Sequence, residues 1–276
     1  MGQVSCATQL PGPRMTPKRS GVPWAKSCVT RSAPITSPTT TDMRVLVTRP
    51  QPDADDTATL LRARGHTPII APLLEIHPVE HRPPLDLNNV QAFLVTSANG
   101  VRALAQNTDN RELPVLAVGA ASGEKAREAG FLAVESADGD VAALAELVLS
   151  RLSPTDGRLL HAAGTVTAGD LAARLHAGGL IVDRAVLYRA RALEELPESV
   201  VIALKAREID AVLLYSPRTA RTFLDLVAKA GIVETLSEVN AYCLSAAVAS
   251  VAAELGFQNV RISKTPDQVG LFDILT

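Results

Sequence analysis

From Met43 onward the chain repeats one pattern: a short, continuously apolar run rich in β-branched residues, a turn, then a stretch with helical spacing. "RVLVT" (44–48) leads into "DADDTATLLRARG", whose acidic start and closing Gly65 are helix signals. "TPIIAPL", "AFLVT" and "PVLAV" follow as strands, and "GDVAALAELVLSRL" and "AGDLAARLHAGG" read as helices on either side of the strand "RLLHA". "IVDRAVLY", "AVLLY" and "NAYCL" are the remaining strands. Runs that are apolar at every position, not at every second one, predict strands buried on both faces. Strand and helix alternating this often predict parallel sheets with right-handed crossovers, an α/β fold.

The pattern is also duplicated. "TRPQPDADDTATLLRARGHTPIIAPLLEI" lies over "AAGTVTAGDLAARLHAGGLIVDRAVLYRA" without a gap, so that Gly65 falls on Gly179 and Leu74 on Tyr188. Further on, Ser97 falls near Ser216, and "GAASGEKAREAGF" matches "SAAVASVAAELGF". A period this long means a duplicated α/β half, because solenoid repeats are far shorter. Two similar lobes are expected, at 43–76 plus 190–276 and at 79–187. The candidate hinges are the proline-rich 73–84 and the stretch 188–196. The helix "AALAELVLSRL" has no equally good counterpart in the second half, unless the tail "KTPDQVGLFDIL" supplies it.

A chain of 276 residues suits two domains, since single domains most often run roughly 100 to 150 residues. No run approaches the ~20 apolar residues of a membrane span. Cys6, Cys28 and Cys243 are an odd count without CxxC spacing, which argues against a disulfide framework and a zinc site, and Cys243 reads as a core thiol. Residues 1–42 carry five bases and one acid and are dense in Ser, Thr and Pro. They are read as a disordered leader, an acid-poor transit segment, or the product of a start assigned upstream of Met43. Without them 22 bases and 28 acids remain, a net charge near −6, which weakens any nucleic-acid reading.

In open parallel sheets ligands bind beyond the carboxyl ends of the strands. The residues expected there are Thr48 and Arg49; Thr96, Ser97 and Asn99; Gly119 and Ser122; Gly164 and Thr165; Ser216, Pro217 and Arg218; and Ser245. Small, hydroxylic and glycine residues at helix starts expose N–H groups suited to carboxylates or phosphates. The same residue types are also ordinary N-caps. Tyr188 closes the strand "IVDRAVLY" where the chain should cross between lobes, either as a proton donor in the cleft or as a packed strand-end tyrosine. Tyr215 and Tyr242 read as ordinary residues inside strands. There is no GxGxxG after the first strand, no GxxxxGK[ST], no GxSxG around Ser97 or Ser216, and no HExxH. Of the five His residues, His66 follows a helix-ending Gly, His77 and His81 sit in the proline-rich hinge, and His161 and His176 read as local fillers.

Taken in order, "VLVTRP", "TSANGV", "LPVLAVGAASGEKAREAG", "AVLYRA" and "DAVLLYSPRTARTF" resemble the uroporphyrinogen-III synthase family from about residue 43 to the C-terminus. The resemblance implies two Rossmann-like or flavodoxin-like lobes joined by a two-stranded linker. It implies a cytoplasmic monomer that converts the linear polycarboxylate hydroxymethylbilane to uroporphyrinogen III, with no metal or organic cofactor, no nucleic acid and no membrane. Carried over by position, Thr48, Ser97, Ser122 and Ser216 are its hydroxylic cleft residues, Gly119 its glycine turn, and Tyr188 the residue that assists departure of hydroxide. Ser245 and Val248 depart from the family's pattern of Gly and, three residues on, Thr. A net-negative fold would repel such a substrate unless Arg49, Arg102, Arg189, Arg191 and Arg218 gather at the mouth. A two-lobed binding or sensor module without catalytic activity is the alternative.

Overall fold

The computed structural model describes residues 42–275 apart from 81–82, 167–168 and 255. The reading of the leader, with Cys6 and Cys28, therefore falls outside the described residues except at Asp42. The apolar runs form strands and the amphipathic stretches form helices. The first part of the chain runs β1 (Arg44–Val47), α1 (Asp53–Ala63), β2 (Thr67–Ile70), β3 (Leu74–Pro78), β4 (Val90–Val95), α2 (Ala98–Asn107), β5 (Val115–Ala117), α3 (Ala120–Glu128), β6 (Val134–Ser136) and α4 (Val141–Arg151). It continues with β7 (Arg158–Gly164), α5 (Leu171–Ala177), β8 (Val182–Ala192), α6 (Glu198–Lys205), β9 (Ala211–Leu214) and α7 (Pro217–Lys229). After a 3₁₀ turn at Val233–Glu238 come β10 (Asn240–Cys243), α8 (Ala246–Ala252), β11 (Asn259–Ile262) and α9 (Gln268–Asp273).

The strands assemble into two mostly parallel sheets, a five-stranded one ordered β11-β10-β9-β1-β2 and a six-stranded one ordered β3-β8-β7-β4-β5-β6. The antiparallel pair is β3 with β8, registered from Leu74↔Ala192 to Pro78↔Tyr188. With β3 set aside, both sheets have the same order once the repeat is taken into account: β2 corresponds to β8, β1 to β7, β9 to β4, β10 to β5 and β11 to β6. Each sheet thus takes two strands from one copy of the repeat and three from the other.

Local chemistry agrees with that correspondence. Gly65 and Gly179 have φ of +84° and +83°, the left-handed conformation that only glycine adopts without strain. At both turns the third residue beyond the helix donates its N–H back to a leucine carbonyl at 3.0 Å, His66 to Leu61 and Leu180 to Leu175. Ser97 and Ser216 each cap a helix, accepting from the Gly100 N–H at 3.0 Å and the Thr219 N–H at 3.1 Å.

Strand alternation divides each core in two. In the five-stranded sheet Leu46, Val212, Leu214 and Cys243 face α6, α7 and α8, whereas Val45, Val47, Leu213 and Tyr242 face α1 and α9. In the other sheet Phe93, Val95 and Leu160 pack on α2 and α3, and Ala92, Leu94 and Leu159 on α4 and α5. The tail helix α9, through Leu271 and Phe272, does for α1 what α4 does for α5, so the tail is the missing counterpart. Burial on both faces holds for β1, β4, β5, β7, β9 and β10, whereas β8 is mostly half-buried and the edge strands β2 and β11 are half-buried to exposed, β2 despite its apolar sequence.

Candidate active site

The carboxyl ends of four strands meet at one cleft of about 380 Å³. In each sheet the chain winds outward in opposite directions from two adjacent strands, β1 and β9 in one and β7 and β4 in the other, so that a crevice opens beyond their ends. Arg49 follows β1, Tyr215 and Ser216 follow β9, Gly164 and Thr165 end β7, and Thr96, Ser97 and Asn99 follow β4; all line the same cleft. Strand alternation in the antiparallel pair supplies the floor, with Leu74 and Ile76 from β3 and Tyr188 and Ala190 from β8.

Tyr188 is fixed from several sides. Its hydroxyl lies 3.0 Å from Ser97 Oγ, whose oxygen also accepts the Gly100 N–H. Its carbonyl accepts the Thr165 N–H at 3.0 Å, and the β7–β8 register shifts between Ala163 and Gly164, which sets Tyr188 opposite Gly164. A Cβ on Gly164 would stand 2.9 Å from two atoms of the phenol ring. Glycine is therefore required there so that the ring can lie against the strand. A Cβ on Gly100 would stand 2.9 Å from the Ala162 carbonyl oxygen, so the capped end of α2 can approach β7 only through glycine.

The cap on α2 leaves the Ala98 and Asn99 N–H groups at the helix start beside the cleft, where the helix dipole favours an anion. Pro217 removes one such donor from α7. Arg218 reaches from α7 to the Ala190 carbonyl at 2.6 Å. Arg49 lies 4.3 Å from the centre of the Tyr215 ring and donates to Gln268 Oε1 at 2.9 Å. Asp53, at the start of α1, pairs with Arg49 at 3.3 Å and with Arg102 of α2 at 2.8 Å.

Of the residues expected at the rim, Arg49, Thr96, Ser97, Asn99, Gly164, Thr165, Ser216, Arg218 and Tyr188 come together. The others stand apart. Thr48 is fully buried and its hydroxyl donates to the Leu213 carbonyl at 2.8 Å, which stitches β1 to β9. Gly119 and Ser245 begin α3 and α8 one strand further from the crevices, Ser122 is buried within α3, and Pro217 is exposed at the first position of α7. Arg189 and Arg191 alternate with Tyr188 and Ala190 and line a different surface cavity with His77 and Glu80, so they do not join Arg49 and Arg218 at the mouth.

Sequence reasoning missed Asp53 and misread Tyr215. β9 ends at Leu214, so Tyr215 lies past the strand and lines the cleft. Its enclosed hydroxyl makes no well-formed hydrogen bond, and burial raises the phenol pKa although Arg49 and Thr57 stand close. The tyrosine at the end of an apolar run, directly before a helix-capping serine, was the available signal. His161 of β7 is buried, stands 3.5 Å from the Thr96 hydroxyl, and has its pKa lowered to about 4 by burial and then by Arg184.

Residues 55–273 match the sequence profile described as uroporphyrinogen-III synthase HemD. No curated protein sequence matches the chain. The fold is similar to the crystal structure of uroporphyrinogen-III synthetase from Helicobacter pylori 26695, with a TM-score of 0.56 at 17% identity, covering 84% of this chain and 97% of that one. A mutant uroporphyrinogen III synthase from the extremely thermophilic bacterium Thermus thermophilus superposes less closely, with a TM-score of 0.49 at 20% identity over 84% of this chain and 96% of that one. The profile match spans most of the sequence, and the chain belongs to the uroporphyrinogen-III synthase family, cyclising lyases of tetrapyrrole biosynthesis.

Proposed function

We propose that the cleft between the four strand ends is where this chain closes hydroxymethylbilane to uroporphyrinogen III with inversion of the terminal pyrrole. The observation that carries the reading is the convergence of both crevices on one cleft with Tyr188 on its floor. The family match favours the enzyme over the non-catalytic binding module.

In this reading the two sheets are the cores of two lobes, 43–76 with 190–276 and 79–187, and the β3–β8 pair is the linker between them. Substrate carboxylates are received by Arg49, Arg218, the Ser97 and Ser216 turns and the N–H groups that begin α2. Tyr188 donates its phenolic proton to the departing hydroxyl, so that water leaves and an azafulvenium cation remains beside the phenolate, which regains its proton from the terminal ring when the macrocycle closes. Ser97 orients that phenol from 3.0 Å. The substituted terminal ring is then attacked through a spiro intermediate, and holding the flexible chain in one arrangement selects the carbon. Such positioning can lower a barrier by as much as about 7 to 11 kcal/mol, so no strong base is required. The chain is expected to act as a cytoplasmic monomer.

The test is to supply purified protein with hydroxymethylbilane generated in situ, oxidise the products and separate the isomers. Type III product is expected. Type I alone, the product of unassisted closure, would sink the proposal.

A further inference from the structure

Asp53 is the one carboxylate among the described residues that line the cleft. Its side chain is only 7% exposed, and it is held by two guanidiniums. Arg102 grips it with both terminal nitrogens, Nη2 at 2.8 Å from Oδ2 and Nη1 at 3.1 Å from Oδ1, while Arg49 Nη2 stands 3.3 Å from Oδ2. Arg102 belongs to α2, beside the six-stranded sheet, and Asp53 to α1, beside the other. Arg102 Nη2 also donates to Asn99 Oδ1 at 3.1 Å, and Asn99 lines the cleft.

A buried acid is out of place in a cleft that receives a polycarboxylate. It neutralises Arg49, which lines the cleft, and Arg102, which stands behind the lining at Asn99 with its side chain 26% exposed, and its head group is chemically the same as an acetate or propionate arm. Resting on the function proposed above, we infer that Asp53 is a built-in competitor: it occupies Arg102 and Arg49 in the empty enzyme and is displaced from them by a substrate carboxylate. While it is bound it keeps both guanidiniums ordered, which limits the entropy lost when the ligand arrives. By re-forming the pair it also helps to expel the product. Competition of this kind lowers apparent affinity by the fraction of sites that Asp53 leaves open.

The alternative is a structural clasp between α1 and α2, and the two differ in sign. The experiment titrates purified full-length protein with uroporphyrin III, followed by fluorescence quenching, alongside steady-state assays with hydroxymethylbilane. In Asp53→Asn the Kd for uroporphyrin III should fall by about fivefold or more, with KM falling and kcat falling as release slows. Unchanged or weaker binding overturns the inference. Asp53→Ser, which also removes the charge and keeps a small polar side chain, should tighten binding in the same way and stands in if the first variant folds poorly. Arg102→Gln should raise the Kd by about tenfold, and no change would overturn the receptor role. Asp56→Asn is the charge control: Asp56 is exposed and pairs with Lys125 of α3 at 3.3 Å, outside the cleft lining. It should leave the Kd within about twofold, and equal tightening there would reduce the effect to net charge. Failure of this inference leaves wild-type production of the type III isomer intact; loss of that isomer from the wild type would remove the reading beneath it.

Discussion

Ser97 Oγ and Tyr188 Oη, from residues 91 apart in the chain, lie 3.0 Å from each other, and both residues line the cleft. Ser97 is held by the Gly100 N–H it caps, so the phenol is aimed by a helix terminus. Removing that hydroxyl in Tyr188→Phe should lower kcat by about 10²-fold, the usual range for losing a general acid. Uroporphyrin III binding should change less than about twofold, because the ring remains. Turnover equal to wild type would assign Tyr188 to packing.

Gly164→Ala should have a related effect while leaving the Tyr188 hydroxyl in the chain. The added methyl would stand 2.9 Å from the Tyr188 ring and push it off Ser97. Turnover should drop towards that of Tyr188→Phe, with about 1–3 kcal/mol lost in chemical denaturation from overpacking. In the double variant the two activity losses should be far from additive. Additive losses would separate the glycine from the tyrosine.

Ser97→Ala and Ser216→Ala each remove a helix cap and should each cost about 1 kcal/mol of stability. Both should lose less turnover than Tyr188→Phe, since in the proposed reading backbone N–H groups share the anion binding. Ser97→Ala should be the worse of the two, because Ser97 also holds the phenol, whereas the Ser216 hydroxyl lies 2.9 Å from that of Thr219. The comparison needs only kcat/KM for the two variants.

His161 makes stability depend on pH. Burial lowers its pKa to about 4, against an ordinary value of 6.5 in the unfolded chain. Between those values the unfolded state binds the extra proton, so stability is full above about pH 6.5 and is lost as pH falls towards 4. The loss should reach on the order of 3 kcal/mol. Urea midpoints measured across this window should fall less steeply for His161→Phe than for wild type, and parallel curves would deny His161 the effect.

Cys243 is fully buried in β10 and burial pushes its thiol pKa up to about 12. Thiol reagents should leave native activity intact as far as this residue is concerned, and Cys243 should react only after denaturation. Mass spectrometry that found rapid labelling of Cys243 in active protein would contradict its packing against α7 and α8.

The repeat was readable because glycine conformation and helix capping are local: Gly65 and Gly179 each had to end a helix, and Ser97 and Ser216 each had to begin one. The tail was readable for a similar reason, since an Asp followed by apolar spacing suffices for α9. Thr48 was not. A hydroxyl at the end of β1 satisfies the rule for a cleft residue equally well, and only the neighbouring strand decided that it would serve the Leu213 carbonyl. Asp53 looked like an acid in a first turn, stabilised by the helix dipole; Arg49 lies only four residues earlier, but Arg102 comes from α2 beside the other sheet.

By itself the sequence determined the α/β class, the twofold internal repeat, the approximate extents of α1, α4 and α5 and the hydroxylic turns, because each depends on spacing or capping within the segment itself. Tertiary structure alone decided which strand ends share a cleft, which of two alternating residues on β8 faces it, and which charges meet across it. Those outcomes depend on how distant strands are ordered and registered, and the pairing of β1 with β9 and of β4 with β7 is fixed by packing between segments far apart in the chain.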